Sequence, residues 1–165
     1  MILRRENLKK ELNKIKFYSL SNKKIDTQAI LKLTNSSQNY NFAELVNNCL
    51  AKNTKKTISI FNENSFNSED CILLMRSFLS KAKKLAVLCY KFEKSRNLES
   101  TINSAKPPVF WKDKEIIKQQ ITKWSVNDIK NLIYETNKYE LLIKKNNINS
   151  VNLISDFLLD KSSTS

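Results

Sequence analysis

The chain has 165 residues, no Gly, no His, two Pro and three Cys, with 29 basic against 16 acidic side chains for a formal charge of +13. Without Gly it has no loop in which backbone N–H groups can close around a nucleotide phosphate, and without His it lacks the commonest general base, the commonest zinc ligand and every Ser-His triad. Sheets rely on Gly and Pro at their turns, so the composition predicts an all-α fold, an irregular helical bundle, with Asn replacing Gly at helix ends and turns.

In chain order, Leu8, Leu12 and Ile15 recur at helical spacing and predict a helix over 4–18. Asp26 is a candidate N-cap for a short helix carrying Ala29, Ile30 and Leu33. The polar run from Thr34 to Asn39 lacks periodicity and reads as a linker, dividing the chain into segments 1–38 and 39–165. Asn41 with Glu44 reads as a capping box, followed by an apolar face of Phe42, Leu45, Val46 and Cys49. A helix over Thr54–Asn64 is expected to turn Ile58 and Phe61 inward.

Asn67 to Asp70 is a further N-terminal signature, with acids where the helix dipole favours them. It opens the clearest helix, about Glu69 to Lys94. Cys71, Met75, Phe78, Leu79, Ala82, Leu85, Ala86 and Cys89 share one face, and Arg76, Lys83, Lys84, Lys91 and Lys94 lie opposite. That basic face reads either as a weak nucleic-acid contact or as a solvated outer face. A short helix over 97–104 precedes Lys106-Pro-Pro-Val-Phe-Trp-Lys-Asp113, which holds both prolines and displays Phe110 beside Trp111. Each proline keeps the residue before it out of the α region, so the chain runs extended here and restarts as a helix over 112–122. Read from the residues, the two rings are core plugs joining helical layers.

Ser125 with Asp128 caps a helix running to Lys145, whose inner face holds Ile129, Leu132, Ile133, Thr136, Tyr139 and Ile143. Asn146-Asn147 ends it. A last helix carries Val151, Ile154, Phe157 and Leu158, and 161–165 reads as a frayed tail.

The scattered Cys49, Cys71 and Cys89 fall on apolar faces and are expected as buried free thiols, which suits a cytoplasmic protein. No apolar run is long enough to span a bilayer, so no membrane association is expected. Glu69 and Asp70 project in different directions and read as dipole partners, not a catalytic pair. No catalytic residue, cofactor or metal site is expected in this chain.

Several segments, in order, resemble one family. Lys10-Glu-Leu-Asn-Lys-Ile-Lys-Phe-Tyr18 resembles a helix of a small lid domain; Tyr40 to Leu50 resembles the first helix of a C-terminal collar domain; Ile72 to Leu85 resembles that domain's long helix. Lys106 to Lys112 is similar to the motif R-P-P-x-F-F-K, and Trp124-Ser125 with Leu132, Glu140 and Lys144 continues the pattern. The family is the delta subunit of the bacterial DNA polymerase III clamp loader. The resemblance implies that 1–38 is the end of the lid and 39–165 the collar, which joins gamma/tau and delta prime subunits in a ring for DNA replication. It implies membership of a nucleotidyltransferase complex without a catalytic site in this chain, and a subunit contact at Phe110 and Trp111. The family's N-terminal domain, which binds the sliding clamp, has no counterpart in these residues, so clamp binding is not expected of them, and DNA contact is expected to be indirect or weak. The reading that competes with it is a stand-alone basic helical domain that binds nucleic acid.

Overall fold

The computed structural model describes residues 12–13, 15–20, 26, 36–64 and 66–163, and for 36–41 and 147 the backbone alone. Residues 27–33 of the short helix expected after Asp26, and residues 4–11 and 14 of the first helix, lie outside the described residues. The chain forms two compact units, Met1–Asn41 and Phe42–Ser165. In the first, 15–20 are helical, with Phe17 and Leu20 exposed.

The helices are α1 (Ser36–Leu50), α2 (Thr54–Glu63), α3 (Ser68–Ser95), α4 (Leu98–Asn103), α5 (Lys114–Lys123), α6 (Val126–Lys145) and α7 (Ser150–Ser162), with single 3-10 turns at Trp111–Asp113 and Asn147–Asn149. The fold is all-α, and no strand occurs among the described residues. In the larger unit α3 is the spine. It packs along α6 and touches α4, α5 and α7, while α7 also packs on α2 and α6. Leu74, Met75, Phe78, Ala82, Leu85 and Leu88 of α3 meet Leu45, Val46, Cys49 and Leu50 of α1, Ile129, Leu132 and Ile143 of α6, and Ile154 and Phe157 of α7 in one core. At its centre Phe78 meets Phe157 edge-on, ring centroids 5.1 Å apart, the arrangement that ring quadrupoles favour.

Two of the helix-start signatures read from the sequence, Asn67–Asp70 and Ser125/Asp128, form capping boxes beside this core. Asn67 accepts from the Asp70 amide at 2.9 Å and Asp70 accepts from the Asn67 amide at 3.1 Å. Ser125 and Asp128 exchange the same pair of bonds at the start of α6. Each box satisfies two helix-end donors that would otherwise be orphaned.

Several expectations are corrected. The run from Ser36 is helical rather than irregular, although the division between the two compact units falls close by, after Asn41. α1 passes straight through Asn41, so no capping box forms there. That stretch has no Gly or Pro to stop a helix, and polarity alone does not stop one. On α2 the buried pair is Thr57 and Ile60; Phe61 packs against the core as expected, whereas Ile58 is 38% exposed. Thr57 can go inside because its hydroxyl donates to the Asn53 carbonyl at 2.8 Å, which removes the cost of burying it. On α3, Leu79 and Ala86 are half-buried, and Leu74 and Leu88 take the deeper places.

The end of the chain is anchored as far as Ser163. Thr54 donates to the Ser162 carbonyl at 2.6 Å, Lys52 to the Ser163 carbonyl at 3.1 Å, and Lys161 pairs with Glu135. Among the described residues the left-handed positions fall to Lys52 (φ 58°) and Arg96 (φ 52°), not to Asn. Asn instead caps helix N-termini at Asn53, Asn67 and Asn97. Cys49, Cys71 and Cys89 are free and buried, as their apolar spacing predicts.

Candidate interaction groove

After α4, Pro107 and Pro108 prevent a helix from continuing, and the backbone stays extended to Phe110 (φ −64°, ψ 138°) before the Trp111–Asp113 turn leads into α5. This detour leaves a groove of about 520 Å³ between α3, the proline segment and α5. Leu85, Leu88, Ala105, Val109 and Ile117 provide its apolar lining, with Pro107, Pro108, Val87 and Phe110. Leu85 and Leu88 belong to the core, whereas Val87 is 56% exposed, so the groove runs from core to surface.

Phe110 and Trp111 are 58% and 68% exposed, which corrects the reading of these rings as core plugs. They lean on each other at 5.8 Å with a 46° tilt, and Lys112 lies over Trp111 at 5.3 Å. The core position is taken by the other tryptophan. Trp124 is 8% exposed and its indole donates to the Leu50 carbonyl at 2.7 Å. Lys52 covers the Trp124 ring at 4.3 Å.

Five lysines line the groove, Lys81, Lys83, Lys84, Lys91 and Lys106, against a single acid, Asp113. Lys81 donates to the Asn47 side-chain carbonyl at 2.6 Å. Burial pushes its pKa down, Asp113 opposes this and Lys84 adds to it. Lys91 donates to the Ser104 carbonyl at 2.8 Å, tying α3 to the end of α4. Gln120, itself buried, donates to the Asn47 carbonyl at 2.9 Å and closes the inner end.

The five residues of the expected basic face are thus divided. Lys83, Lys84 and Lys91 come together at the groove. Arg76 instead bonds Glu140 on α6 at 3.4 Å, and Lys94 lies over the Tyr90 ring at 4.3 Å. Glu140 also takes Lys144 at 2.6 Å, and the two cations hold its carboxyl below the usual range, Lys144 contributing most. Leu73, Val87 and Tyr90 are exposed on the same helix. Sequence reasoning missed Lys81 and Lys106. Lys81 sits at the margin of the apolar stripe, and Lys106 is placed by the proline detour, which helical spacing does not describe.

A second, polar cleft of about 360 Å³ lies by Lys52, Trp124, Glu135, Asp160 and Lys161. Lys161 there binds both Glu135 and Asp160. Among the described residues there is no cluster of three or more metal-ligating side chains, and no helix long and apolar enough to cross a membrane. No family model, no curated protein and no solved structure matches the chain.

Proposed function

We propose that this chain is an assembly module of a cytoplasmic DNA-replication complex, with residues 39–165 acting as a clamp-loader collar of the delta-subunit type that joins gamma/tau and delta prime subunits. The observation that carries this reading is the exposed pair Phe110–Trp111, of which Phe110 lines an apolar groove together with the exposed Val87. Large aromatic residues exposed together on a well-packed domain leave water when a partner covers them, and such residues dominate binding energy at interfaces. The resemblance places the same residues in a motif next to a subunit contact.

The test is co-expression of the chain with clamp-loader gamma/tau and delta prime subunits, followed by affinity capture and sizing. A stable complex is expected, and it should be lost in Trp111→Ala with the chain still folded. A well-folded chain that captures neither subunit refutes the proposal.

The competing reading, nucleic-acid binding by a basic domain, draws on Lys83 and Lys84, which pair with no acid among the described residues. It requires affinity that falls steeply with salt and collapses when Lys83, Lys84, Lys91 and Lys94 are neutralised.

A further inference from the structure

We propose that the groove between α3 and the Pro107–Pro108 segment seats an acidic segment of a partner polypeptide, which sets an apolar side chain on the groove floor and carboxylates against Lys83, Lys84 and Lys106. The inference rests on the assembly reading above and adds the chemistry of the partner.

The first argument is charge. The groove carries five lysines and one acid. Elsewhere Lys56, Lys118, Lys144 and Lys161 satisfy carboxylates of this chain. In the groove, Lys81 and Lys91 bond only neutral oxygens, those of Asn47 and Ser104. Lys83, Lys84 and Lys106 have no acid partner among the described residues. An incoming carboxylate therefore meets donors that it does not have to win from an internal ion pair, and it favours the charged form of Lys81, which burial disfavours.

The second argument is shape. The volume, about 520 Å³, falls within the range of pockets that enclose a small ligand, which is room for one or a few side chains. Its floor is aliphatic, and Val87 and Phe110 form an apolar lip. An acidic segment with an apolar anchor matches both features.

Other occupants match less well. A second copy of the chain brings a formal charge of +13 to a cationic surface. A nucleic-acid strand calls for a cationic track with open ring faces for stacking. Here Arg76 is held by Glu140, Lys94 covers Tyr90, and Lys112 covers Trp111.

The experiment pans phage-displayed random short peptides against the intact chain. Enriched peptides are then measured against the native chain, Lys83→Glu/Lys84→Glu and Phe110→Ser, all exposed positions, with folding checked by circular dichroism. Oligothymidine is titrated in parallel. The expected result is enrichment of peptides that combine Asp or Glu with a large apolar residue. Binding to each variant should be at least about tenfold weaker, because removing several close charge pairs or an apolar anchor is worth more than about 1.4 kcal/mol.

Enrichment of basic or neutral peptides, no enrichment, or affinities indifferent to both variants overturns the proposal. So does oligothymidine that binds through the same lysines and displaces the peptides. The subunit capture described above reads the assembly proposal separately. If acidic peptides bind as expected but the subunits do not, the groove assignment stands and the clamp-loader reading falls. If the subunits bind Lys83→Glu/Lys84→Glu as well as the native chain, the groove assignment falls and assembly stands.

Discussion

The chain has two tryptophans whose truncation should cost very different amounts of stability. Trp111 is 68% exposed and Trp124 is 8% exposed. A buried Trp removes up to about 250 Å² from water. At about 25 cal/mol per Å², the buried third of Trp111 is worth at most about 2 kcal/mol, an upper bound because unfolded chains already bury some surface. Trp124→Ala forfeits nearly the whole side chain, leaves a cavity, and strips the Leu50 carbonyl of its donor. It should cost about 4–5 kcal/mol, near the top of the range for such truncations.

Urea unfolding followed by circular dichroism measures both, since tryptophan fluorescence is itself altered by the substitutions. The wild-type emission provides a second readout. Acrylamide should quench Trp111 readily and Trp124 poorly, so each single-tryptophan variant should show one class of quenching. If Trp111→Ala destabilises as much as Trp124→Ala, or if Trp124 is quenched as readily as Trp111, the assignment of one ring to the surface and the other to the core is wrong. With the assignment correct, loss of partner capture in Trp111→Ala reflects the interface and not the fold.

Two further outcomes follow from the backbone and the thiols. Arg96 ends α3 in the left-handed region at φ 52° and its amide donates to the Phe92 carbonyl at 2.8 Å; Arg96→Gly should stabilise the protein by about 0.5–1 kcal/mol, the left-handed penalty less the added unfolded-state entropy. A shift of the denaturant midpoint to lower concentration refutes this. Burial pushes the Cys49 thiol up to about 12 and Cys89 up to about 11. The unfolded chain ionises near the ordinary value of 9.0 while the folded chain holds its protons. Stability should therefore fall as pH rises from about 9 and level off above the folded values, and a thiol reagent at about pH 8 should modify the cysteines only on unfolding. Rapid modification of the native protein refutes the burial.

Local signals were legible. Both Asn67/Asp70 and Ser125/Asp128 declare their helices because the cap is completed within four consecutive residues, without help from the rest of the chain. The inner faces of α3 and α6 were readable from the 3.6-residue period, and the lack of Gly and the scarcity of Pro made an all-α fold legible from composition. The exceptions are instructive. Thr34–Asn39 looked like a linker because it is polar, yet from Ser36 it is helical. Asn was expected at left-handed ends, but among the described residues Lys52 and Arg96 occupy them.

Burial at the margins of each face, and everything about the groove, was decided by tertiary structure. Phe110 and Trp124 are both large aromatics, and neither residue's neighbours in sequence say which faces an opposing layer. Trp124 is interior because the Leu50 carbonyl at the end of α1 meets its indole, a contact 74 positions apart in the chain. Thr57 and not Ile58 is inside on α2, the helix that packs on α7. The basic stripe of α3 became a groove because the proline segment brings Lys106 and Phe110 back against it, while α6 takes Arg76 away. Spacing along a helix specifies which residues share a side, but the chemistry of that side depends on which distant segment is packed against it.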